Sequence, residues 1–214
     1  MSLDFERFGI FRPYLFHLTD RANLSGIRAT KTIECASALL RRGRYHALLT
    51  VRRDSHRTIA FDSHRVLIRD QKPLHEGAIV FEPGWDLPRF VQHVNEHVFF
   101  WPGSITGPIK AGINHYQRYA QENLAIIRVH WWSLLRVNPQ NEPLFSKFNS
   151  GAPRVVNGKR SPRGSSTYRD RHKFDSRVSD VVEVIFLNRI VLPSDTQVSC
   201  SYSGPWENLG VDLD

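Results

Sequence analysis

Cysteine is scarce in this 214-residue chain, with Cys35 and Cys200 the only two. They form no CxxC pair, so neither a disulfide framework nor a thiolate zinc site can be built from them. Both are expected to be reduced thiols. Histidine is more abundant, but His56, His64, His75, His93, His97, His115 and His130 follow no HExxH or similar spacing, and no metal is expected. A phosphate-cradling loop is missing as well, because Gly103-x-x-x-Gly107 is not followed by Gly-Lys-Ser. No nucleophile elbow marks Ser-His-Asp catalysis. Long apolar runs are absent: Leu124–Val129 and Val181–Leu187 fall far short of a bilayer span. Met1–Phe11 lacks the basic-then-apolar pattern of a signal peptide. A soluble, cytoplasmic protein without a membrane partner is therefore expected. With no fixed-period repeat and no linker dividing the chain, residues 1–214 read as a single domain.

What is present in excess is positive charge. The net is +8 and the sequence pI about 9.9, a balance that favours polyanionic partners such as nucleic acid. The charge is clustered. Arg41–Arg69 and Gly151–Arg177 each hold eight basic side chains against two acidic ones, a net of +6 apiece. Both stretches are turn-rich and could form two walls of an anion-binding groove, although a charge run is more often a solvated loop. After Pro193 the chain turns acidic, with Asp195, Glu207, Asp212, Asp214 and no Lys or Arg.

The apolar pattern predicts mixed elements. Tyr14–Leu18 reads as a short buried strand, and Thr19 or Asp20 suits the cap of a helix carrying Leu24 and Ile27. Ile33–Arg42 reads as a second helix ended by Gly43. β-like runs lie at Arg65–Arg69 and Ala78–Phe81. Asp86-Leu87-Pro88 suits a helix start. His97–Trp101 is a strand signal stopped by Pro102-Gly103. Lys110–Glu122 is a candidate helix, and Leu124–Trp131 a dense, central strand. Residues 143–177 show no period and read as a long functional loop. Val181–Leu187 and Arg189–Pro193 are the last two strands.

Two residues are chemically out of place. His17 interrupts an apolar strand, and burying an imidazole without partners costs free energy. Taken alone, such a His is more often a satisfied core residue than a ligand. Thr19 shares its strand face, and Asn23 can swing back from the following turn. Glu183 sits in an apolar strand beside Val181 and Ile185, so an exposed face and a cleft are its two alternatives.

The order His17, Thr19, Asn23, Leu24, Ile27 resembles the opening motif of the DarT-like ADP-ribosyltransferase toxins. Val181–Leu187 followed by Arg189–Pro193 resembles that family's catalytic strand, with Glu183 in the place of its glutamate. Val98–Ser104 resembles the middle strand, an aromatic run ending in Pro. Gly103 and Ser104 stand where many members carry an assisting Arg, so any such Arg would come from the 154–177 loop. The resemblance rests on three short windows spread over most of the chain.

It implies an α+β fold with a split, mostly antiparallel β-sheet core and flanking helices. It also implies NAD as co-substrate and transfer of ADP-ribose to nucleic acid, DNA or RNA, by a toxin or phage-defence effector with a neutralising partner. Glu183 and His17 would be catalytic. His17, Thr19, Asn23, Phe100 and Trp101 would bind the cofactor, with Tyr116 and Tyr119 as further stacking candidates. Arg154, Arg160, Arg163, Tyr168 and Arg169 of the 143–177 loop would face the acceptor. A carboxylate beside the ribose stabilises the cationic transition state of glycosidic cleavage. The rival readings are protein ADP-ribosylation, NAD hydrolysis, and a non-catalytic nucleic-acid-binding module.

Overall fold

The computed structural model describes residues 2–61, 64–156 and 158–210. Asp62 of the first basic stretch and Asp212 and Asp214 of the acidic tail lie outside the described residues. In chain order the elements begin with α1 (Phe5–Phe11), β1 (Tyr14–Asp20), α2 (Leu24–Thr30), β2 (Thr32–Glu34) and α3 (Ala36–Arg42). The hairpin β3 (Arg57–Phe61) and β4 (His64–Ile68) follows, then α4 (Leu87–Asn95), β5 (His97–Ser104), β6 (Gly107–Pro108), α5 (Lys110–Arg118), β7 (Leu124–His130) and α6 (Trp131–Val137). Short strands β8 (Leu144–Ser146), β9 (Val155–Val156) and β10 (Lys159–Arg160) interrupt the long loop. The chain continues through β11 (Glu183–Leu187), β12 (Arg189–Val191), β13 (Gln197–Ser199) and β14 (Glu207–Asn208).

The fold is α+β. Its main sheet has eight strands in the order β14-β13-β7-β1-β5-β11-β8, with β6 beside β5. Every pair in it is antiparallel. Alternation along β1 sends Leu15 to one face and Phe16 to the other. Leu15 joins the larger core with Phe8, Trp131, Phe145 and Phe186, while Phe16 joins Leu18, Trp101, Tyr119 and Ile126 on the opposite face. α1 docks on the larger core because Phe8 meets Trp131 at 4.8 Å. Gly9 permits that approach, since a Cβ there would stand 2.6 Å from the Trp131 ring.

The sheet splits in its middle. β1 pairs with β7 along its whole length, from Tyr14↔His130 to Asp20↔Leu124. With β5 it pairs only at Tyr14, Leu15 and Phe16. Beyond that point β5 turns to β11, where Phe100 faces Val184 and His97 faces Leu187. β1 and β5 therefore diverge after Phe16. A backbone ladder cannot close such a gap, and its freed carbonyls need other donors.

Several expectations are corrected. Ile33 lies in a strand, not a helix: it pairs with Ile190 of β12, and the helix starts three residues later at Ala36. Ala78–Phe81 is a 3₁₀ turn over Glu76–Ala78 plus one bridge from Phe81 to Arg163, held by the loop rather than by a strand. Pro102-Gly103 does not stop β5. Pro102 stays opposite Leu15 and its carbonyl accepts from Ile109. A Cβ on Gly103 would meet the Gly107 carbonyl at 2.2 Å, so glycine lets β6 fold back there. The helix after Ile109 ends at Arg118, short of Glu122. Asp20 caps the 3₁₀ turn Arg21–Asn23 that precedes α2, and Asp86 caps α4 with Pro in its first turn. Among the described residues no helix is long and apolar enough to cross a membrane.

Candidate functional site

The split opens into a cavity of about 580 Å³. Both sequence-singled residues line it: His17 from β1 and Glu183 from the start of β11. His17 stands one residue past the last β1–β5 pair. Its Nδ1 lies 2.9 Å from the carbonyl of Phe99, across the gap. A carbonyl only accepts, so Nδ1 carries the proton and Nε2 is left as an acceptor. Burial lowers the imidazole pKa, the Phe99 bond opposes this, and the charge of Arg69 lowers it further. The ring is neutral near pH 7, and its free nitrogen suits a hydroxyl donor.

Thr19 is buried on the same strand and lines the cavity. Its Oγ1 accepts from Asn23 Nδ2 at 3.0 Å, which leaves its own O–H free to donate. Asn23 also lines the cavity, but its amide is engaged. Nδ2 donates to the Leu67 carbonyl at 2.9 Å and Oδ1 accepts from Leu67 N–H at 2.8 Å. Asn23 thus acts as a strand partner that ties β4 to the rim.

Glu183 is 3% exposed. The backbone N–H and the hydroxyl of Ser150 both donate to its Oε2, at 3.0 and 2.8 Å. Among the described residues no donor reaches Oε1. Burial pushes the pKa up to about 7, against the Ser150 bonds and the positive charge of Arg163, which pull it down. A carboxyl poised near neutral pH in a cleft is a recurrent feature of acid–base sites.

Alternation along β5 settles the aromatic candidates. Trp101 lines the cavity, as do His97 and Phe99. Phe100 points the other way, fully buried and edge-on to Phe186 at 5.8 Å, so it belongs to the core and not to the cofactor site. Tyr119 lines the cavity, whereas Tyr116 donates to the Cys200 carbonyl outside it.

The loop residues are placed differently from expectation. Among the described residues of 143–177 only Asn149, Ser150 and Gly151 line the cavity. Arg154 donates to the Lys147 carbonyl, Arg160 to the Gly77 carbonyl, and Arg169 pairs with Asp175 at 2.9 Å. Tyr168 is buried, stacked on His93 at 4.7 Å with His97 and Phe99 around it. Arg163 is wholly buried. These five do not present themselves to an acceptor in the cavity, because their polar ends are consumed in holding the loop or sealed beneath it.

Arg42, Arg53 and Arg69 line the cavity from the other basic stretch, and Arg118 lines it from α5. Arg69 lies over the Tyr119 ring at 4.0 Å and donates through Nη2 to Glu122 at 2.8 Å. Its Nε and Nη1 are buried without an acceptor. Two dry guanidinium donors in a cavity wall call for an anion. Arg53 donates to the Arg69 carbonyl and to Asn95 Oδ1, both at 2.9 Å, and so braces that wall. Burial lowers its pKa to about 10, with Asp70 opposing, so it stays charged. His115 is pushed down to about 3 by burial and by the charges of Arg69 and Arg118, and its Nδ1 has no partner. Arg53, Arg69, His115 and Ser150 were not legible as site residues. The only sequence signal was the charge run that contains the two arginines. Among the described residues no three metal-ligating side chains come together.

The buried, unpartnered donors of Arg69, the free acceptor of His17 and the hydroxyl of Thr19, with Trp101 and Phe99 as apolar walls, can hold an anionic ligand that carries hydroxyls and an aromatic ring. No curated protein matches the chain. The model of a family of unknown function, DUF7002, matches residues 13–195, a span that includes both His17 and Glu183, and the chain belongs to that family.

Proposed function

We propose that this DUF7002 protein cleaves NAD and transfers its ADP-ribosyl group to nucleic acid. The observation that carries the reading is the meeting of His17 and Glu183 in one cavity at the split between β1 and β5. A volume of about 580 Å³ lies within the range of small-molecule sites, about 300–1,000 Å³.

Each role follows from local chemistry. His17 Nε2 accepts a ribose hydroxyl and fixes the sugar. The Glu183 Oε1, free of protein donors, faces the positive charge that develops on the ribose as the bond to nicotinamide breaks. The bonding pair leaves with nicotinamide. The acceptor's lone pair forms the new bond to the same carbon, and its proton passes to the carboxylate. Arg69 neutralises the phosphates. Glu183 must be ionised to act, so turnover is expected to rise with pH through about 7.

A polyanionic acceptor is favoured over a protein or water by the exposed arginines of the same basic stretch that supplies Arg53 and Arg69 to the cavity wall. Arg41, Arg44, Arg57 and Arg65 have no side-chain partner among the described residues. Incubation with NAD and DNA or RNA oligonucleotides, followed by mass analysis, tests this. An ADP-ribose adduct is expected. Nicotinamide release with no adduct would point instead to hydrolysis or to a protein acceptor. Salt-sensitive oligonucleotide binding with no NAD consumption would point to a binding module.

A further inference from the structure

Arg163 was a natural candidate to touch an acceptor, yet its side chain is 0% exposed. A buried guanidinium is tolerated only if its donors are engaged. Here they reach backbone carbonyls: Nη2 to Ala152 at 2.6 Å, Nη1 to Ser161 at 2.8 Å, and Nε to Ser150 at 3.4 Å. The guanidinium also lies over the Phe148 ring at 4.0 Å. Its own backbone is tied to a separate segment. Arg163 N–H donates to the Val80 carbonyl at 2.8 Å, and its carbonyl accepts from Glu82 at 2.9 Å. The residue is therefore fixed from both ends, and what its side chain gathers is the turn at 149–152.

That turn carries Ser150, whose N–H and O–H are the two donors to Glu183. We propose that Arg163 is a positioning residue, which shapes the 149–152 turn and through Ser150 aims the Glu183 carboxylate into the cavity. The proposal rests on the reading of Glu183 as the reacting carboxylate, but its physical content, control of that side chain, does not depend on NAD. Ser150, Arg163 and Tyr168 of the loop act on Glu183, and His17, His97, His115, Arg53, Arg69, Asp70 and Arg118 line the same cavity. Burial lowers the Arg163 pKa to about 10, so it remains a cation throughout the neutral range and favours the charged form of the carboxylate against burial.

Two readouts separate this inference from the function. The first is the pH profile of nicotinamide release by Arg163→Met, Arg163→Lys and Ser150→Ala. The second needs no NAD: the pH at which the melting temperatures of each variant and its Glu183→Gln counterpart diverge, which reports ionisation of Glu183. Arg163→Met is expected to move both midpoints up by about one pH unit and to lower kcat about tenfold at pH 7, with KM little changed. Arg163→Lys should restore much of the midpoint, through charge, but not kcat, because one ammonium cannot span the same carbonyls. Ser150→Ala should shift the midpoint the same way. Adding it to Arg163→Met should change kcat less than the two separate effects combined, since one acts through the other. Unmoved midpoints in Arg163→Met, or fully additive effects on kcat, would overturn the proposal. If Arg163→Met fails to fold, Arg163→Lys and Ser150→Ala decide it: an unchanged midpoint in Ser150→Ala, or full kcat in Arg163→Lys, contradicts it. If the parent protein consumes no NAD, the melting readout still decides the role of Arg163 while the functional reading falls.

Discussion

Residues 41–69 and 151–177 have the same formula of eight basic and two acidic side chains, yet the fold uses them in opposite ways. In the second stretch most cations are internal, bonded to backbone carbonyls or locally neutralised, with Lys159 exposed and without a partner among the described residues. Arg169 meets Asp175 at 2.9 Å, Lys173 meets Asp170 at 3.2 Å, Arg177 meets Asp180 at 3.3 Å, and Arg163 is enclosed. In the first stretch Arg53 and Arg69 enter the cavity wall, and Arg41, Arg44, Arg57 and Arg65 are exposed without partners among the described residues. The difference lies in the backbone that needs holding. A long loop with few ladder bonds satisfies its carbonyls with guanidinium donors, as Arg154 and Arg163 do, while Arg160 ties it to the Gly77 carbonyl. The β3–β4 hairpin satisfies its own backbone from Arg57↔Ile68 to Phe61↔His64, which leaves its arginines free.

Four experiments bear on that contrast, and the largest effect belongs to Arg163. Arg163→Ala should cost about 4 kcal/mol in urea unfolding, because it opens a cavity and orphans several carbonyls. The exposed Lys173→Ala should stay within about 0.5 kcal/mol. Equal costs would erase the distinction between internal and surface cations.

Next is Glu183→Gln, read by melting across pH. The carboxyl's ordinary value is 4.5 and its value in the fold about 7. A raised acid is protonated in both folded and unfolded states below about pH 4.5, and costs nothing there. Between about 4.5 and 7 the unfolded state ionises first, so native stability is lost as pH rises. Glu183→Gln should therefore be the more stable protein above pH 7, by up to about 3 kcal/mol, with the gap closing below pH 4.5. A gap independent of pH would contradict the burial argument.

Arg69→Ala should lower kcat/KM for NAD about a hundredfold with little change in melting, whereas Arg160→Ala should leave kcat/KM intact. Smallest is the effect on oligonucleotide binding. Replacing Arg41, Arg44, Arg57 and Arg65 by Ala should weaken it about thirtyfold and flatten the log–log salt dependence by about 3. Alanine at Lys159, Arg160, Arg171 and Lys173 should do far less. A reversed order would make the loop the acceptor surface.

Much of the architecture was readable because period and punctuation agreed. Tyr14–Leu18 and the Asp86-Leu87-Pro88 cap became the elements their patterns describe, and Leu124–Trp131 did so up to His130, with Trp131 opening α6. Ile33 was misread because its helical spacing to Ala36 and Leu40 was accidental, and pairing with Ile190 decided its state. Pro102 was misread because a turn signal was overridden by Gly103 and the fold-back of β6. In the site, His17 and Glu183 stood out because polar groups in apolar strands need an explanation. Arg69 and Ser150 did not, because an arginine in a charged run and a serine in a loop look like any others until long-range packing removes their water. Phe100 was separated from Trp101 only by which strand face meets the split.

The most direct measurement is nicotinamide release from NAD by the parent protein and by Glu183→Gln, followed from pH 5 to 9. Release by the parent should rise through about pH 7, and Glu183→Gln should be slower by about a thousandfold across the range. Equal release by the two proteins, or none by the parent with oligonucleotide present, would contradict the assignment of this cavity.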